Sequence, residues 1–382
     1  MEKILDKEKC VNCRACVNRC PKEAITMEED NYGFFYPVIN KEKCIDCGLC
    51  IKICPILNLK EKQKNYYNNK VYACYAKDKI IRKKSSSGGI FALLCQFILN
   101  QNGVIYAPAF DKNFNVHHIK VDKKEQLPSL LGSKYVESNI GNIYKNIEEY
   151  LKENKMVLFS GTPCQIAGLK HFLKKEYETL YTQDIICHGI PSNKVWKKYL
   201  ENALIPEEIS FRDKTYGWED FSLKIKSKNK KQILSHNDDA YMQLYLQNLI
   251  LRDSCYKCFF KDGNTYADIT LGDFWGIKNF QTTLDYKDGV SLVIMNNEKG
   301  KKLYESIQKE IVVDDSISLK DVVTYNSAIQ TSVERNPKRE AFFNDINTLS
   351  FPEIISKYTV VKTKKQLKIE YTKKKLKKIL KG

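Results

Sequence analysis

Apolar positions along the chain fall into two rhythms. Val71 to Ala76 reads as a strand, Ser85 to Gly89 as a turn, and the apolar run Ile90 to Leu99 as a buried helix. Gly103 to Ala107 then opens another strand. A second unit follows, with strand Met156 to Phe159, a helix over Gln165 to Tyr177 and strand Leu180 to Ile186, which is a βαβ pattern. Farther on, Ala240 to Leu251 has helical spacing, while Ala267 to Leu271 and Gly289 to Met295 read as strands. Residues 57–69, rich in Asn, Lys and Gln, carry no apolar periodicity and are read as a linker after a cysteine-rich segment, 1–56. The remaining text divides into regions 70–150 and 151–345 and a basic tail, 346–382. The expected fold class is α+β: an N-terminal dicluster ferredoxin-like module followed by an α/β region of two parts.

Composition narrows the class. In 382 residues, 43% are hydrophobic and 29% charged, and no window approaches the roughly 18 unbroken apolar residues of a transmembrane helix. The N-terminus runs directly into the first cysteine motif without room for a signal peptide, so a cytoplasmic location is expected. Fourteen cysteines in such a chain point to metal ligands and reduced thiols rather than disulfides. The formal charge of +17 invites a nucleic-acid reading. However, the stretch after Val361 holds ten lysines against Glu370 alone, over half of the excess, and no basic motif is interleaved with aromatics. No nucleic-acid partner is therefore expected. Leu376, Ile379 and Leu380 have helical spacing, so the tail reads either as a solvated end or as an amphipathic segment making peripheral contact with a partner or anionic surface.

The cysteines carry the chemistry. Cys10-x2-Cys13-x2-Cys16-x3-Cys20-Pro21 is repeated as Cys44-x2-Cys47-x2-Cys50-x3-Cys54-Pro55. Such runs bind [4Fe-4S] clusters, and in two-cluster ferredoxins the fourth cysteine of each run serves the other cluster. One set is then Cys10, Cys13, Cys16 and Cys54, and the other Cys44, Cys47, Cys50 and Cys20. Structural zinc, the alternative, usually shows paired C-x2-C elements. Of the six remaining cysteines, Cys74 and Cys95 sit in apolar text and read as small buried hydrophobes. Cys164 and Cys187 end successive parallel strands and so fall on one sheet edge, where open α/β sheets bind ligands. Cys255-x2-Cys258 could complete a third four-thiolate set. A capped reactive thiol at Cys164, and zinc or a dithiol at Cys255 and Cys258, compete with that reading.

One-electron clusters are commonly joined to two-electron substrates by a flavin. Neither a G-x-G-x-x-G nor a P-loop motif is present. Ser86-Ser87-Gly88-Gly89, opening a helix after Arg82-Lys83-Lys84, offers N–H groups and positive charge for a pyrophosphate, though such a run before a helix is more often just a capped turn.

Taken in order, Ser85 to Gly89, Gly132 to Val136, Gly161 to Gln165, Cys187 to Ser192, Ser210 to Lys214, Cys255 to Cys258 and Gly272 to Gly276 resemble the coenzyme F420 hydrogenase/dehydrogenase beta-subunit family. The resemblance covers residues 1 to about 345, including the fused ferredoxin. Regions 70–150 and 151–345 are similar to the family's N- and C-terminal parts. It implies a flavoprotein holding FAD and a [4Fe-4S] cluster that exchanges a hydride with coenzyme F420. It also implies Cys164, Cys187, Cys255 and Cys258 as cluster ligands, and Ser87, Gly88, Gly89, Lys134, Thr162 and Gln165 as flavin contacts. No catalytic residue is assigned; His188 is as plausible a turn residue as a proton handler. Expected partners are a redox protein or ferredoxin and a small hydride donor or acceptor. The rival is a non-catalytic electron-transfer adaptor for a partner enzyme, with surface-polysaccharide biosynthesis as one setting.

Overall fold

The computed structural model describes residues 4–61, 66–363 and 365–372. Fourteen strands are seen among these: β1 (Ile25–Glu29), β2 (Phe35–Ile39), β3 (Val71–Ala76), β4 (Val104–Phe110), β5 (Val116–Val121), β6 (Ser138–Asn139), β7 (Val157–Gly161), β8 (Leu180–Ile185), β9 (Glu208–Asp213), β10 (Ser222–Ser227), β11 (Lys230–Ser235), β12 (Ile269–Asp273), β13 (Ser291–Met295) and β14 (Ile311–Asp314). The cysteine-rich segment folds around the antiparallel pair β1–β2. A three-stranded antiparallel lobe has the order β11-β10-β9, and a nine-stranded mixed sheet has the order β14-β3-β13-β12-β8-β7-β4-β5-β6. Strands β4, β7, β8 and β12 form its parallel centre.

Side-chain alternation along the central strands divides the core into two layers. Ile105, Ala107 and Leu158 face the helix Ile90–Asn100, with its buried Leu93, Leu94 and Ile98. Val104, Tyr106, Val157 and Phe159 face the helices Ile143–Lys152 and Pro163–Leu173. Cys13, Ala15 and Ile53 belong to that second layer, so the ferredoxin-like module is seated on the same helices.

Several expected boundaries move. The expected helix over Gln165 to Tyr177 is Pro163–Leu173. It starts earlier because Thr162 and Gln165 form a capping box with proline at the first position, and it stops because Lys174 turns left-handed at φ 60°. The expected helix Ala240 to Leu251 ends at Leu246. Asn248 is left-handed (φ 60°), and the chain turns so that Leu251 bridges Pro191. A division at residue 150 does not separate two bodies, because one sheet takes β3 to β6 from one side of it and β7, β8 and β12 to β14 from the other.

A tail beginning at 346 is also corrected. Ile346, Phe351, Ile354 and Tyr358 are buried, and Phe351–Tyr358 is a capped helix of the core. Beyond it, Lys362 pairs with Asp238 and Glu370, and Tyr371 hydrogen-bonds Asp238. The apolar trio Leu376, Ile379 and Leu380 lies outside the described residues. No helix among the described residues is long and apolar enough to cross a membrane.

Candidate functional site

The fourteen cysteines are all unbridged. Cys74 and Cys95 are wholly buried in the sheet and the helix Ile90–Asn100. The other twelve fall into three groups. Cys13 lies within electrostatic reach of Cys10, Cys16 and Cys54, and Cys16 of Cys10 and Cys54, so the fourth cysteine of the second run joins the first three. Reciprocally, Cys20 shares a small pocket with Cys44, Cys47 and Cys50. Backbone N–H groups of the surrounding loops are directed at the sulfurs, as with Ala24 N–H to Cys20 Sγ at 3.3 Å. Cys164, Cys187, Cys255 and Cys258 form the third group, brought together from the ends of β7 and β8 and the short turn Asp253–Lys257. Ile190 N–H points at Cys255 Sγ (3.3 Å), and Thr162 Oγ1 lies 3.1 Å from Cys164 Sγ.

Burial and mutual repulsion raise the thiols of Cys13, Cys16, Cys54, Cys164 and Cys255, and push Cys187 up to about 11. A cation bound to the thiolates would reverse that balance. A single ion needs ligands converging on one point. Among the described residues, no three His, Cys, Asp or Glu side chains do so. A cube of four irons instead takes one thiolate at each of four corners.

The groups are strung together. Cys16 is within reach of Cys50 in the second group, and Cys13 of Cys164 in the third. Contact between module and body is close at Gly168, where even a Cβ would stand 2.7 Å from the Cys13 Cβ.

Cys187 also lines a cavity of about 660 Å³ at the carboxyl edge of the parallel strands. Its wall includes Ser87, Gly89, Lys134, Thr162 and Gln165 of the expected flavin contacts. Gly88 is not on the wall. It is packed so that a Cβ would meet the Cys74 carbonyl oxygen at 2.4 Å, and its N–H donates to Ser291 Oγ. Gly89, at φ 94°, starts the helix Ile90–Asn100 without a side-chain cap. Ile90 and Phe91, the first residues of that helix, line the cavity wall. Ser86 ties this loop to the next by accepting from Ser133 N–H (2.7 Å).

Most of the other polar groups expected there have internal partners. Ser87 Oγ donates to the Val290 carbonyl (2.9 Å), and Gln165 bonds Thr162 N–H and the Ser138 carbonyl. The Lys134 ammonium donates to the carbonyls of Leu130, Leu131 and Gly132, and desolvation lowers its pKa to about 7. His188 bonds Asn248 Oδ1 (2.8 Å) through Nε2, and burial lowers its pKa.

Three features were not legible in the sequence. Arg212 and Asp273, from β9 and the end of β12, form a buried two-point ion pair on the cavity wall. Trp218 Nε1 donates to the same carboxylate (3.0 Å), and the guanidinium lies over Phe221. His118 is buried with Ser138 Oγ and the Ser160 carbonyl on its two ring nitrogens; burial lowers its pKa to about 4 although the Ser160 bond favours the charged form. Arg252, three residues before Cys255, reaches the Cys10 loop, where its Nε donates to the Cys10 carbonyl. Asp268, by contrast, is structural, accepting from Thr182 and Asn297.

Residues 9–57 match the model of the 4Fe-4S dicluster domain, which carries two [4Fe-4S] clusters. Residues 154–318 match that of the C terminus of the coenzyme F420 hydrogenase/dehydrogenase beta subunit. No curated protein matches the chain. Among solved structures, a chain of the xenon-derivatised F420-reducing [NiFe] hydrogenase complex from Methanosarcina barkeri is similar at 15% identity. The match covers 73% of this chain and 99% of that one with a TM-score of 0.46. The chain thus joins a region similar to the C terminus of the coenzyme F420 hydrogenase/dehydrogenase beta subunit to a 4Fe-4S dicluster domain at its N-terminal end.

Proposed function

We propose that this chain is an iron–sulfur flavoprotein oxidoreductase. It joins a one-electron partner, such as a ferredoxin, to a small hydride donor or acceptor, with coenzyme F420 as the first candidate. The reading rests above all on Cys187, which belongs to the third cysteine group and lines the cavity. In this reading Cys10, Cys13, Cys16 and Cys54 hold one [4Fe-4S] cluster and Cys20, Cys44, Cys47 and Cys50 a second. Cys164, Cys187, Cys255 and Cys258 hold a third. The donors fit: four thiols to a group, with backbone N–H groups directed at the sulfurs.

The cavity fits a flavin in size, since about 660 Å³ lies inside the range of about 300–1,000 Å³ usual for ligand sites. When bound, the clusters supply one-electron transfer and FAD supplies hydride chemistry. The chain's own residues then have separable tasks. The exposed edge at Cys47 faces the redox partner. The helix N-terminus at Gly89 and Ile90 receives the dinucleotide's phosphates. Lys134, poised near neutrality, holds or releases a proton at Nζ on the cavity wall. The Arg212–Asp273 pair keeps its side of the cavity in one geometry, while Phe91, Leu271 and Trp275 exclude water. Free thiols of this kind suit a reducing cytoplasm.

Anaerobic purification with iron, sulfide and flavin counted per chain tests this. About twelve irons and one FAD are expected, falling to about eight irons in Cys258→Ser. About eight irons without flavin in the unaltered chain would leave an electron-transfer adaptor instead.

A further inference from the structure

Arg252 is wholly buried between two cysteine groups. Its Nε donates to the Cys10 carbonyl at 2.7 Å and its Nη2 to the Phe35 carbonyl at 2.7 Å, both in the ferredoxin-like module. Its own carbonyl accepts from Cys255 N–H at 2.9 Å, in the third group. One residue thus touches the backbone of both loops. Its ring neighbour is Tyr36, 4.3 Å from the guanidinium to the centroid.

The charges around it do not balance. Among the described residues, the carboxylate paired with Arg252 is Glu137, whose Oε1 is 3.5 Å from Nη1 and also accepts from Asn12 Nδ2 at 3.0 Å. A second cation, Arg14, set between Cys13 and Cys16, is within electrostatic reach of the same Glu137, and its Nε is buried without a partner. Two guanidiniums, Arg252 wholly buried and Arg14 partly so, share that carboxylate, and positive charge held this far from water is costly unless anions stand close by. A [4Fe-4S] core ligated by four thiolates is such an anion, and it becomes more negative on reduction.

We propose that Arg252 is a positioning residue and shared counter-cation for electron transfer between the cluster of Cys10, Cys13, Cys16 and Cys54 and that of Cys164, Cys187, Cys255 and Cys258. This rests on the cysteine assignments proposed above. The step moves one electron from the first cluster to the second. No bond forms or breaks and no proton moves. The reductant is a one-electron carrier protein, or dithionite in the test. The fixed cation makes both clusters easier to reduce. Its two backbone bonds hold the loops of Cys10 and Cys255 at a constant separation.

The test is a redox titration followed by electron paramagnetic resonance on the full chain, anaerobically loaded. Arg252→Gln should make reduction at least tenfold less favourable at both clusters, about 59 mV lower for a one-electron couple. The cluster of Cys20, Cys44, Cys47 and Cys50 should not move. Arg252→Lys, which keeps the charge, should restore the potentials while losing the fixed backbone bonds. Glu137→Gln should move both potentials the opposite way, and this prediction stands even if Arg252→Gln does not fold. Unchanged potentials in Arg252→Gln at full iron content, or equal shifts at all three clusters, would overturn the proposal. So would Glu137→Gln leaving both potentials in place. An unaltered chain loading only eight irons overturns the cysteine assignment itself, a separate result read from the iron count.

Discussion

Gly168 is the position at which the seating of the ferredoxin-like module can be tested with one methyl group. It lies in the helix Pro163–Leu173, where alanine would normally be preferred by about 1 kcal/mol. Here the added Cβ would stand 2.7 Å from Cys13 Cβ, 2.9 Å from Tyr144 Oη and 3.2 Å from the Cys13 carbonyl oxygen. None of these yields cheaply. Tyr144 is buried and its hydroxyl is fixed on the Gln165 carbonyl at 2.8 Å, while Cys13 belongs to a cysteine loop. Overpacking of this kind costs about 1–3 kcal/mol, and two unyielding neighbours place it in the upper half of that range. Set against the helical preference, Gly168→Ala should lose about 1–2 kcal/mol net. Thermal unfolding at matched scan rates should show a midpoint lower by several degrees. Iron analysis with paramagnetic resonance should show the loss concentrated in the cluster proposed for Cys10, Cys13, Cys16 and Cys54, while the signal of the one proposed for Cys20, Cys44, Cys47 and Cys50 persists. A variant as stable as the parent, with all its iron, would refute the close seating of Cys13 on this helix.

Two other expectations are independent of it. Asp273→Asn leaves the Arg212 guanidinium buried without its anion and should cost about 3–5 kcal/mol of stability, read as a lowered unfolding midpoint; replacing both residues by apolar ones should cost less. His118 is held neutral in the fold with its pKa lowered to about 4, against an ordinary value of about 6.5 in the unfolded chain. Between those values the unfolded chain binds the extra proton, so stability is lost as pH falls from 6.5 towards 4, by about 3 kcal/mol in all. His118→Gln should remove that part of the pH dependence, and unfolding midpoints measured across the interval for both proteins would check it.

What could be read from the sequence follows the range over which each feature is encoded. The eight ferredoxin cysteines are declared by local spacing, while the exchange of Cys20 and Cys54 between groups is carried over from the general pattern of two-cluster ferredoxins. Cys164 and Cys187 were placed together because a βαβ unit puts both strand ends on one edge. The partnership of Arg252 with Cys10, or of Arg212 with Asp273, joins segments with no shared spacing or periodicity, so nothing in the text announces it. Helix ends moved where a single residue, Lys174 or Asn248, adopted a left-handed backbone that composition does not specify. The tail was placed too early because its abundance of lysine hid the apolar spacing of Phe351, Ile354 and Tyr358, which reaches the core.

Strand β3 has a consequence for how the chain is made. It follows the cysteine-rich segment and residues 57–69, yet both its neighbours, β13 and β14, are encoded more than 200 residues later. At ribosomal speeds of about 5–20 residues per second, β3 waits on the order of tens of seconds with both edges unpaired. The eight leading cysteines emerge before that interval begins. Cells that produce this protein therefore have time to deliver iron and sulfide to its first segment while the rest is still being translated, and must shield an unpaired strand from aggregation throughout.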